Sequence, residues 1–270
     1  MKMLLNKSNS FADIHPKQNK NLQLSSLVIS VVSHGQGAII NKLLEDLQPI
    51  MLMGAKVILT LNIPEDERFI NHYKYQPIVI RNKRPLGFGY NHNNAFKILN
   101  SRWFAVLNPD IRVEANVFND LIKKAELEPN KEKFGLCAPE IKSPDGNFEN
   151  NARKYPTTIN ILKRIVAHVT LTKLPQDYKK NKGRIFVDWV SGCFMLFNSE
   201  SFNQIGGFDT KFFMYLEDAD ICRRLCKRGF LVLVYKDIVA IHDARRASRK
   251  NLQHLFWHLK SLIRFLVSPK

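Results

Sequence analysis

Acidic residues are scarce in this sequence: 24 Asp and Glu stand against 41 Lys and Arg, a formal net charge of +17 at pH 7. So basic a chain seeks anionic partners, of which three classes come first: nucleic acid, an anionic membrane surface and a phosphorylated substrate. Zinc-finger spacing, the aromatic signature of RNA-binding sheets and a basic helix with a dimerisation heptad are all absent, which removes the sequence support for nucleic acid. Cysteine is sparse too. The four, Cys137, Cys193, Cys222 and Cys226, form no CxxC pair. Cys222 and Cys226 lie four apart on an expected helix where both can be buried, and a reduced cytoplasmic setting is the simpler expectation. No apolar run approaches the roughly 18 residues that span a membrane. The first 24 residues, interrupted by Asp13, His15 and Pro16, have no apolar signal-peptide core. A soluble or peripheral protein is expected.

What is present is the material of one α/β domain. The 270 residues are 45% apolar, ample for a single large core. Residues 1–24 read as a polar leader. Buried β-branched runs at 25–34, 56–62, 77–81 and 103–107 read as strands of a parallel sheet. Helical stretches are expected at 39–47, 93–100 and 116–127. Further on, strands are expected at 134–140 and 185–197, a helix at 217–228 closed by Gly229, and one or two strands at 230–241. Short strands alternating with helices predict a mostly parallel sheet flanked by helices on both faces. Ligands bind such sheets beyond the carboxyl ends of the strands, so Ser33-His34, Asn62, Arg81-Asn82 and Asn108 to Asp110 should converge on one crevice.

Five constellations carry chemistry, each with a plain structural alternative. Asn108-Pro109-Asp110 follows a buried strand; its carboxylate suits Mg²⁺ or Mn²⁺, and the tripeptide is also good turn chemistry. Glu217, Asp218 and Asp220 open a helix that Lys227 and Arg228 close, a pattern the helix dipole alone explains. The aromatics just before it, Phe212, Phe213 and Tyr215, would shield a carboxylate from water, raise its pKa and suit a general base. His242, at the end of an apolar run, is a candidate second metal ligand or simply a packed histidine. Gly87 and Gly89 permit close approach to a phosphate or form an ordinary turn. From Arg245 onward, Leu252, Leu255, Phe256, Leu259, Leu262, Ile263 and Leu266 recur at helical spacing among Arg246, Arg249, Lys250, Lys260 and Arg264. That helix either lies on an anionic membrane, aided by the basic stretch Lys173 to Arg184, or packs on the domain.

Taken in order over about residues 25–266, these motifs resemble the family 2 glycosyltransferases of GT-A fold, and within them the bacterial rhamnosyltransferases of O-antigen and related polysaccharide assembly. The most specific stretch runs from Val187-Asp188-Trp189-Val190-Ser191-Gly192-Cys193-Phe194 through Gly206-Gly207-Phe208-Asp209 to Phe213-Met214-Tyr215-Leu216-Glu217-Asp218-Ala219-Asp220. Val31-Val32-Ser33-His34-Gly35, the Gly87-Phe88-Gly89 turn, Asn108-Pro109-Asp110, Ala240-Ile241-His242-Asp243-Ala244 and Trp257-His258-Leu259-Lys260-Ser261 also match.

The resemblance implies a GT-A catalytic domain at 25–244, its nucleotide-binding half at about 25–130 and its acceptor half at about 131–244, followed by a basic amphipathic helix at 245–270. It implies a nucleotide-sugar donor, dTDP-L-rhamnose, a lipid-diphosphate-linked saccharide acceptor, an inverting single displacement, and a place in lipopolysaccharide synthesis at the inner face of the membrane. Asp218 corresponds to the base, with Glu217 beside it. Asp110 corresponds to the metal-binding acid of an Asp-x-Asp motif whose first acid is here Asn108, with His242 as a further ligand. Ser33, His34, Asn62, Arg81, Gly87, Gly89 and Asn91 would contact the nucleotide sugar, and Trp189 and Arg153 the acceptor. Galactosyl or glucosyl donors, and a non-catalytic binding protein of the same fold, are the competing readings.

Overall fold

The computed structural model describes residues 24–161, 170, 172, 177–178, 183–243 and 252–268. The polar leader therefore lies outside the described residues except for Leu24. Leu24 is fully buried and its N–H donates to the carbonyl of Met53, so it belongs with the domain. The basic stretch 173–184 is described only in part. Arg245, Arg246, Arg249 and Lys250 fall outside the described residues.

The element order begins β1 (Leu27–Ser33), α1 (Gly37–Leu52), β2 (Lys56–Leu61), β3 (Ile78–Arg81), α2 (Phe88–Phe96), β4 (Trp103–Leu107), β5 (Ile111–Arg112) and α3 (Val117–Glu126). It continues with β6 (Phe134–Lys142), β7 (Ala152–Arg153), β8 (Arg184–Phe186), β9 (Trp189–Val190), β10 (Phe194–Asn198), α4 (Ser199–Gln204), α5 (Glu217–Lys227), β11 (Leu231–His242) and α6 (Leu252–Val267). Most of the expected elements stand. The exception that matters is α2, which starts at Phe88 with Gly87 as its N-cap, so the glycine turn is the head of a helix rather than a loop before one.

The main sheet has the order β3-β2-β1-β4-β10-β6-β11-β5, with β8 on β11. Strands β1 to β4 pair in parallel, as do β6 and β11, while β10 runs antiparallel between β4 and β6. Side chains alternate across it as the pleat requires. Leu27, Ile29 and Val31 meet α1 and α3 on one face. Val28, Phe104 and Val106 share the other with residues of α2, α4 and α5. The second face is rich in phenylalanine. Phe202 of α4, capped locally by the Asn198 side chain accepting from the N–H groups of Glu200 and Ser201, touches the rings of Phe96, Phe104, Phe197 and Phe208 at centroid distances of 4.7, 5.2, 4.9 and 5.7 Å.

Two seams in this topology position the chemistry. Because β10 is antiparallel to β4, pairing Phe194 with Leu107, its entry segment Ser191 to Cys193 lies beside the exit of β4. Because β5 pairs antiparallel with the far end of β11, Ile111 opposite His242, that histidine lies beside Asp110. Of the cysteines, Cys137, Cys193 and Cys222 are buried, whereas Cys226 is exposed, correcting the expectation that both cysteines of α5 face inward. Phe202→Ala should lower unfolding stability by about 3–5 kcal/mol, the usual cost of deleting a buried ring. Denaturant titration showing a loss below about 1 kcal/mol would contradict the packing described.

Candidate active site

A cleft of about 640 Å³ opens at the carboxyl ends of β1 to β4, where it is lined by His34, Gln36, Asn62, Leu86, Asn108 and Pro109 among others. Its far wall is Phe213 and Met214, with Gln253, His254 and Trp257 of α6. The strand-end convergence thus includes His34, Asn62 and Asn108. Arg81 does not join it. Its guanidinium is tied to Glu67 on the exposed surface, Nε to Oε1 at 2.7 Å. The next residue, Asn82, turns inward instead, its Nδ2 donating to Asn62 Oδ1 at 2.9 Å and to Asn91 Oδ1 at 2.7 Å.

Several residues expected to touch the donor support the walls of the cleft. Asn62 accepts from the N–H of Leu86 and donates to its carbonyl, and Asn91 donates to the same carbonyl. Three asparagines therefore lock the entry to α2, a buried polar network in which each member is satisfied by the others. Ser33 is fully buried and its hydroxyl accepts from the N–H of Gln36, so it shapes the turn that presents His34. The glycines also pack closely. A Cβ on Gly87 would stand 2.6 Å from the carbonyl oxygen of Phe213, and one on Gly89 2.5 Å from Phe208 Cβ. Their Cβ sides face protein, and Leu86 and Phe88 on either side of Gly87 line the cleft. His92, which the sequence reading missed, lies beneath the cleft; burial lowers its pKa to about 3, so it is neutral, with Nδ1 on Ser30 Oγ at 2.8 Å.

The acidic pair starts α5. Glu217 is 6% exposed and its Oε2 is buried with no hydrogen-bond partner among the described residues. Burial, then the neighbouring Asp218 charge, push its pKa well above the ordinary carboxylate range. Asp218 is more open. Its Oδ2 accepts from the N–H of Gly192 at 2.9 Å and its Oδ1 from the N–H of Ala219 at 2.8 Å. Burial raises its pKa too, opposed by the Gly192 hydrogen bond, the charge of Arg153 and the Ala219 hydrogen bond. Of the two, Asp218 is the carboxylate built to carry charge. Gly192 separates it from the cleft wall: a Cβ there would lie 3.3 Å from Phe88 Cζ and 3.5 Å from Asp218 Cβ. The next residue, Cys193, accepts from the N–H of Asn108 at 2.9 Å.

Trp189 is 4% exposed, donates Nε1–H to the carbonyl of Lys154, and has the guanidinium of Arg153 over its ring at 5.1 Å. Its face is therefore covered by Arg153 and does not offer a sugar platform. Cross-strand pairing of Arg153 with Trp189 produces that stack.

Asp110 fits a divalent cation in part. Its Oδ1 is sealed from solvent and makes no well-formed hydrogen bond among the described residues; His242 Nε2 lies 3.3 Å away. The other ring nitrogen of His242 is 2.8 Å from Glu149 Oε2. Burial alone would lower the histidine, but the two carboxylates outweigh it and raise its pKa to about 9. Glu149 was not legible in the sequence, where it is one acid in a polar loop. Among the described residues no group of three or more His, Cys, Asp or Glu is arranged to hold a metal. A cation at Asp110 would need oxygens from the substrate to complete its shell.

In sequence and fold the chain is similar to known transferases. The family model described as the N-terminal domain of galactosyltransferase matches residues 174–248. Rhamnosyltransferase WbbL of Escherichia coli K12 is 29% identical over 256 residues, covering 90% of this chain and 93% of its own. N-acetylglucosaminyl-diphospho-decaprenol L-rhamnosyltransferase of Mycobacterium tuberculosis is 33% identical over 170 residues, 61% of this chain; the alignment spans about half of the relative, 54%. A mannosyltransferase of Pyrobaculum calidifontis, solved with GDP-Man and Mn²⁺, superposes with a TM-score of 0.58 at 13% identity, over 90% of this chain and 66% of that one. The fold is that of the GT-A glycosyltransferases. Gly87→Ala should cost about 1–3 kcal/mol of stability and weaken nucleotide binding, because the backbone of Phe213 has to retreat. Calorimetry showing both unchanged would refute the close crossing.

Proposed function

We propose that this chain, a family 2 glycosyltransferase related to the bacterial rhamnosyltransferases, is an inverting enzyme that moves L-rhamnose from dTDP-L-rhamnose to a lipid-diphosphate-linked saccharide in cell-surface polysaccharide synthesis. The observation that carries the reading is Asp218, a raised-pKa carboxylate held by Gly192 at the head of α5, one residue's width from a cleft at the strand ends.

The reaction is a single displacement. The donor nucleoside occupies the cleft against His34, Gln36 and Asn108. Asp218 takes the proton of an acceptor hydroxyl. The freed oxygen attacks the anomeric carbon from the face opposite the nucleotide, the bond from that carbon to the phosphate oxygen breaks, the nucleoside diphosphate departs and the configuration inverts. Glu217 stands beside it, its pKa pushed well above the ordinary carboxylate range by burial. Asp110, with His242 once its proton is lost, would hold Mg²⁺ or Mn²⁺, which when bound supplies charge stabilisation to the departing diphosphate. Arg153, stacked on Trp189, offers a positive group near the base for an acceptor phosphate.

The outer face of α6 supports a peripheral place at the inner membrane surface. No helix among the described residues is long and apolar enough to cross a membrane. Yet Leu252, Leu255, Phe256, Leu259 and Ile263 are 54–82% exposed on one side of α6. An apolar stripe on so basic a chain suits an anionic bilayer interface, where a lipid-linked acceptor resides. A galactosyl donor is the second reading, favoured by the family model matched at 174–248.

Incubation with a panel of nucleotide sugars and lipid-linked acceptors, with and without EDTA, tests the reading. Rhamnose transfer from dTDP-L-rhamnose that EDTA suppresses is expected, and nucleotide release from no donor would defeat it in favour of a non-catalytic binding protein. Asp218→Asn should keep donor binding and lose about 10²–10⁴-fold in kcat; retained turnover would place the base elsewhere. Glutamates at Leu255, Phe256 and Leu259 together should weaken sedimentation with anionic phospholipid vesicles about tenfold or more. Sedimentation equal to wild type would argue against the bilayer.

A further inference from the structure

Helix α5 begins without a local start signal. Its N-cap is Leu216, whose side chain makes no capping hydrogen bond, whereas helix starts ordinarily carry Ser, Thr, Asp or Asn there. The two residues before the acidic pair, Tyr215 at φ 72° and Leu216 at φ 62°, are the non-glycine residues with positive φ among those described. A left-handed conformation is disfavoured for an L-residue, and two in succession do not persist unless surrounding contacts determine them.

Those contacts come largely from α6. The hydroxyl of Tyr215 is 2.7 Å from His254 Nδ1. Ser261 Oγ donates to the carbonyl of Met214 at 2.8 Å. Phe213 packs on Trp257 at a centroid distance of 4.8 Å. From the other side, the carbonyl of Phe213 accepts from the N–H of Phe88 at 2.9 Å, and Leu216 is buried in the second core. Helix α6 is itself fixed to α5 by Arg223 Nη1 donating to the carbonyl of Phe265 at 2.9 Å. Every residue from Phe213 to Leu216 is thus gripped, and the chain leaves that grip directly into Glu217 and Asp218.

We propose that α6 is a clamp that positions the base: Tyr215, His254 and Ser261 hold the left-handed pair and so aim the carboxylate of Asp218. This rests on Asp218 being the base. The three are positioning residues and take no part in proton transfer. Displacement of a reacting group by about 1 Å can cost 10²-fold in rate, so loosening the clamp acts on turnover. Tyr215 and Ser261 do not line the cleft, which separates their effect from donor binding.

The test uses the full chain with Tyr215→Phe, Ser261→Ala and the hydroxyl-keeping Ser261→Thr. Transfer kinetics, binding of the nucleoside diphosphate and amide hydrogen exchange are measured on each. For Tyr215→Phe and Ser261→Ala, kcat is expected to fall about ten- to a hundredfold with the donor KM within twofold. Exchange should quicken at residues 216–220 and stay unchanged in β1 and β4, and Ser261→Thr should recover most of the turnover. A kcat within twofold of wild type in both variants overturns the clamp, as does a loss shared equally by donor binding and sheet protection, which marks a merely structural role. Should wild type transfer no sugar, the functional reading fails by itself. Exchange at 216–220 still reads the grip, and unaltered exchange in both variants overturns it.

Discussion

Two adjacent carboxylates begin one helix inside this protein, and the cost of removing them from water governs what surrounds them. An ionised carboxylate without partners is among the most expensive groups to bury. Asp218 is compensated by two backbone N–H groups, the positive end of α5 and the charge of Arg153. Glu217 is compensated less: it shares the helix end and a backbone hydrogen bond, but its Oε2 is buried with no partner among the described residues. The pair therefore differs by environment: burial raises Glu217 with little to oppose it, whereas two backbone N–H groups and Arg153 oppose the rise at Asp218.

That compensation comes from strands distant in sequence, and the topology explains how. A wholly parallel sheet would send the entry of every strand to the end opposite the cleft. The antiparallel β10 reverses this, delivering Gly192 to Asp218 and Cys193 to Asn108. The antiparallel pairing of β5 with β11 does the same for Asp110 and His242. The parallel half builds the cleft; the reversals bring two carboxylates and a histidine close to residues of its wall.

The parts of this arrangement that sequence could reveal are those fixed locally. The run Trp103 to Leu107 is β4 end to end, because five apolar residues bounded by turn formers admit few alternatives. The acid-to-base gradient of α5 was equally plain. What the sequence could not show were partners distant along the chain. Gly87 and Gly89 read as room for phosphate; their Cβ sides meet Phe213 and Phe208, far along the chain. Arg81 and Asn82 follow the same strand, and only the pleat and the presence of Glu67 decide which turns outward. Trp189 read as an acceptor contact, because the sequence does not show that it is buried with Arg153 as its cross-strand neighbour. Glu149 has no motif; only the fold places it on His242.

Helix α6 inverts the usual rule for an amphipathic helix. Its apolar periodicity leaves membrane and core packing both open; Leu252, Leu255, Phe256, Leu259 and Ile263 face outward, while His254, Trp257, Ser261 and Phe265 face the domain. The inner contacts explain the choice. The segment Phe213 to Leu216 presents a carbonyl, a hydroxyl and an aromatic ring, which leucines could not satisfy, and an unsatisfied buried carbonyl costs more than a leucine left in water. The packed face combines those hydrogen bonds with Leu262 and Phe265 against the second core, and the rest of the apolar stripe remains outside. Water does not reward such a stripe, whereas a bilayer interface does, at about 25 cal/mol per Å² covered. On the proposed reading, one helix then walls the donor cleft, grips the base segment and turns toward the surface from which a lipid-linked acceptor arrives.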